Sequence, residues 1–281
     1  MMRILARTLV ALALLQLVPA SAERIERIVS LAPNLTELAF AAGAGDRIVG
    51  TAEYSDHPPE ARRVPRIGDA FRVDVERIVA LDPQLVLAWT TGTPPATIQR
   101  LRSLGLNVRE FELQRLADIP RTVRELGALA GSEARAEHAA SEFEAAVAEL
   151  AVHHRESKPL RVFLQVNSRP LYTVNGRQLM SEVLEVCGGR NVFEDLNQLA
   201  PQVSLEAVIA RNPDVIVVTD DGEPGALDEW RKWTHLEAVR TDNLYQLPAS
   251  DLAQASTRLA DGAAMLCRVL ETARARKAAR M

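Results

Sequence analysis

Short runs of β-branched residues and leucine alternate along this chain with longer stretches whose apolar positions recur at helical spacing. The runs RIVSL (27–31), IVG (48–50), LVLAW (85–89), NVREF (107–111), RVFLQV (161–166), VIVVT (215–219) and LYQLP (244–248) read as strands. LVLAW and VIVVT have no polar alternation, the mark of strands buried on both faces of a parallel sheet. Helical stretches lie between them. NLTELAFAAG has Asn34 as a cap and Gly43 as a stop, VERIVA follows Asp74, PPATIQRLRSLG stops at Gly105, and QLMSEVLEVCGG ends on a glycine pair. Strands and helices alternating in this way specify an α/β fold. The stretch YSDHPPEARRVPRIG (54–68) is rich in proline and reads as loop.

One segment breaks the rhythm. Residues 132–158 contain neither glycine nor proline; Ser132 stands as a cap and Pro159 follows. Phe143, Val147, Leu150 and Val152 recur near a helical period. At 1.5 Å per residue the segment makes a rod of about 40 Å, too long for an ordinary crossover helix. Behind it the α/β pattern restarts and closes on a second long helix, 256–277. The expected architecture is two Rossmann-like α/β lobes, 23–131 and 159–281, joined by one long rigid helix at 132–158, with a ligand cleft between the lobes.

The two lobes share a repeated unit. VDVERIVALDPQLVLAWTTG (73–92) returns 130 residues later as VSLEAVIARNPDVIVVTDDG (203–222). Val73, Glu76, Ala80, Pro83 and Gly92 match Val203, Glu206, Ala210, Pro213 and Gly222, and most other positions exchange one apolar residue for another. Each copy reads as a capped short helix, a breaking proline and a buried strand. The repeated glutamate sits two residues after a cap, Asp74 or Ser204. An acid there gains about 0.3–1 kcal/mol from the helix dipole, which explains both glutamates without any partner.

Composition narrows the function classes. The chain has 281 residues and a net charge of −4, with no Lys/Arg cluster of the kind that binds nucleic acid. Residues 1–22 have the layout of a cleaved secretory signal peptide: Arg3 and Arg7, the apolar run LVALALLQLV, then Ala20-Ser21-Ala22. No cysteine follows that cleavage site, so a lipoprotein is not indicated. Export makes pairing the default for Cys187 and Cys267, against two buried free thiols. No nucleophile elbow, phosphate loop, dinucleotide fingerprint or zinc-protease helix occurs, so no catalytic residue and no cofactor is assigned. A secreted α/β enzyme is thereby disfavoured. Of five histidines, His138, His153 and His154 fall on the long helix and read as solvated. Only His57 lies in a loop near the cleft, too few ligands for a zinc site there, and no metal is expected. Trp230 and Trp233, in DEWRKWTHL, read as surface-helix packing.

Several stretches together resemble the ABC-importer periplasmic binding proteins whose two lobes are joined by a long helix, the cobalamin-binding members in particular. They are SLAPNLTELAFAAG, YSDHPPEA, ERIVALDPQLVLAW, RVFLQV, VLEVCGGRNVF and PQVSLEAVIARNPDVIVV, spread over the chain in family order. The resemblance implies capture of cobalamin or another corrinoid in the cleft and delivery to an ABC-importer permease and, through it, its ATPase. It implies a periplasmic location, a free protein that is a monomer, and a Cys187–Cys267 disulfide. It makes Glu76 and Glu206, one on each lobe tip, the residues that dock onto permease arginines. It assigns Tyr54 and Trp89 to the N-terminal wall of the cleft, with Phe71 as a further aromatic, Tyr172 to the C-terminal wall, and Asp251 to a loop at the ligand's amide-bearing edge. Three family tryptophans are replaced, by Ala200, Leu252 and Ala70 (or by Phe71 if its loop shifts). Haem or a ferric siderophore is therefore the alternative ligand class.

Overall fold

The computed structural model describes residues 24–219 and 225–280; the expected signal peptide, 1–22, and Gly222 lie outside them. In the N-terminal lobe, β1 (Ile28–Ser30), α1 (Pro33–Ala41), β2 (Ile48–Thr51), α2 (Val75–Ala80), β3 (Leu85–Trp89), α3 (Pro95–Ser103) and β4 (Val108–Phe111) alternate. The four strands form a parallel sheet in the order β2-β1-β3-β4. Asn34, expected as the cap of α1, lies inside that helix, buried, its Oδ1 accepting from the N–H of Leu35.

Two helices then follow β4 in the chain. The first, α4 (Asp118–Ala130), was not expected from the sequence pattern. Asp118 accepts from the backbone N–H groups of Gln114 and Arg115, Pro120 sits in the first turn where its missing N–H costs nothing, and Gly131 closes the helix in the left-handed conformation. The second, α5 (Glu133–His154), is the connecting helix, and it is shorter than the expected 132–158. Its 22 residues give a rod of about 33 Å. Ser132 does not cap it; the hydroxyl donates to the carbonyl of Ala42 at 2.6 Å instead. The far end stops early because Ser157 N–H turns back to the His154 carbonyl and Pro159 holds Lys158 extended.

The C-terminal lobe is built on β5 (Leu160–Asn167), with β6 (Tyr172–Thr173), α6 (Leu179–Val186), β7 (Gly189–Asn191), α7 (Leu205–Arg211), β8 (Val215–Val218), α8 (Ala226–Arg231), α9 (Glu237–Arg240), β9 (Leu244–Gln246), α10 (Ala249–Leu252) and α11 (Leu259–Ala278) following. β5 pairs with β8, and β8 with β9, all parallel. On its other side β5 takes β7 at its amino end and the antiparallel β6 at its carboxyl end. The repeat now has a place: β3 lies between β1 and β4, and β8 lies between β5 and β9. Each central strand is led in by its own short capped helix, α2 or α7.

Strand alternation divides the core three ways. Val86 and Ala88 face a cluster under α2 and α3, and Phe163, Ile216 and Val218 face a second cluster in the other lobe. The opposite faces, Leu85 and Leu87 in one lobe and Val162, Leu164, Val215 and Val217 in the other, join one continuous core. It runs through α1, α4, α5, α6 and α11. The lobes are thus fused around α5 rather than hung from a flexible strand. The Cys187–Cys267 disulfide is present in this shared core, both cysteines buried. Closing an 80-residue loop, it stabilises by about 4 kcal/mol on the chain-entropy account.

Two side-chain expectations are corrected here. Trp230 is core, not surface packing: it is 2% exposed, stacks edge-on against Phe163, and donates its indole N–H to Gln165 at 2.7 Å. His154 is not solvated, because α11 covers the last turn of α5; the residue is 4% exposed.

Candidate ligand-binding cleft

The carboxyl ends of parallel strands are where α/β sheets hold ligands. Trp89 is the last residue of β3, and the turn that follows fixes it. Its backbone N–H bonds to Thr93 Oγ1 at 3.1 Å, and Gly92 and Thr93 N–H groups return to its carbonyl. The indole lies over Gly92, where a Cβ would fall 2.0 Å from Trp89 Cε3. The indole N–H is buried and has no partner among the described residues.

Tyr54 follows β2 and is 80% exposed, with a left-handed backbone at φ 65°. A non-glycine residue pays about 1–3 kcal/mol for such a conformation, and the surroundings must impose it. Here they do. Arg66 donates to the carbonyls of Ala52 and Ser55 and to Asp56 Oδ1, and Ser55 is fully buried. The loop is rigid while its ring projects. Its neighbour Glu53 donates its backbone N–H to the carbonyl of Gly68, at the base of the turn carrying Phe71. Asp69 Oδ1 accepts from Phe71 and Arg72 N–H, and the Phe71 ring stands 93% exposed.

A cavity of about 310 Å³ brings Tyr54 and Trp89 together with Pro33 and Asn34 at the start of α1 and with the segment from Ala249 to Ala255 of the other lobe. Asp251 is in that segment but outside the lining, because it is drawn into an ion-pair network. Arg258 donates to Asp251 Oδ1 at 2.8 Å and, bidentately, to both oxygens of Glu37 on α1 at 2.8 and 2.9 Å. Ser250 also donates to Asp251 Oδ1. Glu37, only 7% exposed, raises the pKa of Arg258 further above its ordinary value. Leu252, where the family has a tryptophan, is 1% exposed and anchors the segment in the core. Tyr172 pairs with Asn167 at the carboxyl end of β5, half-buried, with exposed Ala200 in the strand-like segment beside it. Neither Tyr172 nor Phe71 lines the 310 Å³ cavity.

A larger hollow of about 600 Å³ has Glu37 and Arg258 in its wall, with Asp46, His57, Glu60, Arg135 and Phe40. Its charges of both signs suit a flat, partly apolar ligand less well than the rings, amides and hydroxyl of the first. The Glu37–Arg258 pair was missed by sequence reading. Its one signal is a glutamate on the apolar stretch NLTELAFAAG, a charge where a buried face demands a partner.

Glu76 and Glu206 lie exposed in the first turns of α2 and α7. Both expected caps form: Asp74 Oδ1 accepts from Arg77 N–H at 2.9 Å and Ser204 Oγ from Ala207 N–H at 3.2 Å. A helix entering a parallel strand starts at the carboxyl edge of the sheet, so both glutamates stand at the edge that carries the cleft. Neither is ion-paired to a described residue. The Glu206 carboxylate is held below the usual range by its own backbone N–H and by the Ser204 hydroxyl.

Two lobes fused around one long helix, with an aromatic cavity at the strand ends, define a substrate-binding protein, and the chain belongs to the periplasmic binding protein family, whose model matches residues 28–250. The chain is 34% identical over 249 residues to a vitamin B12-binding protein of Vibrio cholerae, covering 88% of this chain and 90% of that one. A vitamin B12-binding protein of Yersinia pestis is 38% identical over 209 residues, 74% of this chain and 75% of that one. The crystal structure of periplasmic vitamin B12-binding protein BtuF of Vibrio cholerae superposes with a TM-score of 0.83 at 33% identity, over 89% of this chain and 98% of that one. The periplasmic haem-binding protein RhuT of Roseiflexus sp. RS-1 superposes at 0.78 with 26% identity, over 89% and 99%.

Proposed function

We propose that this chain is the substrate-binding protein of an ABC importer, that it captures cobalamin or another corrinoid between its lobes, and that it hands the ligand to a permease coupled to its ATPase. The observation that carries this reading is the likeness to vitamin B12-binding proteins over nearly the whole chain, 34% over 249 residues. The cavity supports it: the Tyr54 ring and the Trp89 indole offer flat apolar faces, and Asn34, Ser250 and Gln254 offer polar groups for amides, with Asp251 in the same segment. In this reading 1–22 is cleaved on export to the periplasm, 23–131 and 159–281 are the lobes on either side of the 132–158 connection, and the free protein is a monomer without catalytic activity. Tyr172 and Phe71 close on the ligand's outer faces. Glu76 and Glu206 dock onto permease arginines through charge-assisted hydrogen bonds, and their matched place in two copies of one unit supports that role.

Haem and ferric siderophores are the competing ligands, favoured by Ala200 and Leu252 standing where the resemblance expects tryptophans and by the likeness to a haem-binding protein. Titration of metal-free, ligand-free protein with cyanocobalamin, haemin and a ferric hydroxamate, followed by calorimetry and visible absorption, separates them. One cobalamin bound per chain, with the other two ignored, is the expected result. Saturable binding of haemin alone moves the protein to the haem class.

A further inference from the structure

The end of α5 meets α11 at a cluster that takes no part in the cleft. His153 and His154 are the last residues of α5, and Glu271 lies one turn beyond Cys267 on α11. Glu271 Oε1 is 3.2 Å from His153 Nε2 and 3.7 Å from His154 Nε2. The three donor atoms all lie within 4.8 Å of one another. We propose that His153, His154 and Glu271 form a binding site for a divalent transition-metal ion of the zinc, copper or nickel type.

The donor set selects that class. Two imidazoles and one carboxylate suit zinc, copper and nickel, whereas magnesium and calcium take oxygen ligands. A tetrahedral ion with bonds of 2.0–2.1 Å needs its donors about 3.4 Å apart, and the two distances from Glu271 lie on either side of that value. The site is half pre-formed. The His154 side chain is 2% exposed and cannot swing, while those of His153 and Glu271 are 71% and 46% exposed and turn without disturbing the core. Burial is the main cause that lowers the pKa of His154, with Glu271 acting against it, and the neutral ring is the ligating form. The fourth position opens to solvent on the His153 side, for water or an anion. Arg274 opposes a cation here; its Nε and Nη2 are engaged with the carbonyls of Lys158, Cys187 and Gly188, while its Nη1 is buried with no partner among the described residues. The disulfide already ties α11 to α6; a bound ion ties α11 to α5 as well. The C-terminal lobe is then clamped to the connecting helix.

The test uses untagged protein freed of metal with a chelator, since a histidine tag binds the same ions. Zinc chloride is titrated by calorimetry, cobalt(II) by visible absorption, and the thermal midpoint is followed against free zinc. The expected result is one zinc per chain and a midpoint that climbs with the logarithm of zinc concentration. His153→Ala and Glu271→Gln each weaken zinc by about tenfold or more, while His138→Ala, exposed in the second turn of α5, changes nothing. Both main substitutions are at exposed side chains, and circular dichroism checks that the variants remain folded. No zinc uptake by the wild-type protein, or uptake unchanged in both variants, overturns the site. A midpoint lowered by Glu271→Gln in a protein indifferent to zinc also overturns it, and leaves the contact as helix packing.

Discussion

Gly92 has no side chain because the Trp89 indole occupies the place where one would be. The glycine that the repeat keeps is therefore bound to the orientation of one ring at the cavity wall. A Cβ at 2.0 Å from Cε3 forces the ring outward by about 1.5 Å, to ordinary van der Waals distance. Gly92→Ala is expected to weaken cobalamin binding by about tenfold or more, approaching the effect of Trp89→Ala, since an aromatic face at a ligand carries about 1–3 kcal/mol. Overpacking at a half-exposed indole costs fold stability at most about 1–3 kcal/mol. Calorimetry and thermal melting on the same samples separate the two effects. Full affinity in Gly92→Ala would remove Trp89 from the ligand wall. The cavity aromatics were legible in the sequence through the resemblance, and Trp89 also through its place at the end of a buried run. That Tyr54 is held left-handed by Arg66 was not legible, because the contacts, to Ala52 and Ser55, join residues 14 and 11 apart across a proline-rich loop with no periodicity.

At the scale of elements, the paired capped helices give Glu76 and Glu206 two competing explanations. The observed caps and the lowered pKa of Glu206 show that helix starts use acids in these places, an effect of about 0.3–1 kcal/mol. The docking role demands more. Glu76→Ala with Glu206→Ala is expected to leave cobalamin affinity unchanged and to abolish most uptake through the reconstituted permease, with each single change milder. Normal uptake by the folded double variant would leave the glutamates as helix-start residues. The same elements mark what local pattern reveals. The repeat announced α2, α7, β3 and β8, because a cap, a proline and an apolar run are all local signals. It announced nothing of α4, which contains two residue types that ordinarily interrupt helices, Pro120 in the first turn and Gly127 packed against Ala136 of α5. Nor did it reveal that His154 is covered, since α11, which covers it, begins more than 100 residues later.

The whole molecule is governed by the shared core and by an ion-pair network that crosses it beside the cleft. Arg258, from the C-terminal lobe, grips Glu37 of the N-terminal lobe and Asp251 of the ligand-edge segment at once. Arg258→Met strands a nearly buried carboxylate and is expected to cost about 3 kcal/mol, at the low end for a broken buried pair because the arginine is partly exposed. Combining it with Glu37→Gln removes the stranded charge and recovers most of that loss, as urea denaturation of the two variants can show. Equal losses in the single and double variants would mean that the pair matters for packing alone. The disulfide imposes a different kind of constraint on the same body. It closes residues 187–267 into a covalent ring that contains α7, β8, β9 and the segment carrying Asp251. A protease that cuts once inside that ring opens the chain without dividing the molecule. Both ends of the cut stay tethered through α6 and α11 in the shared core, so nicking does not commit the protein to loss in an oxidising compartment. The fragments part only when a reductant reaches two sulfur atoms that are buried from solvent.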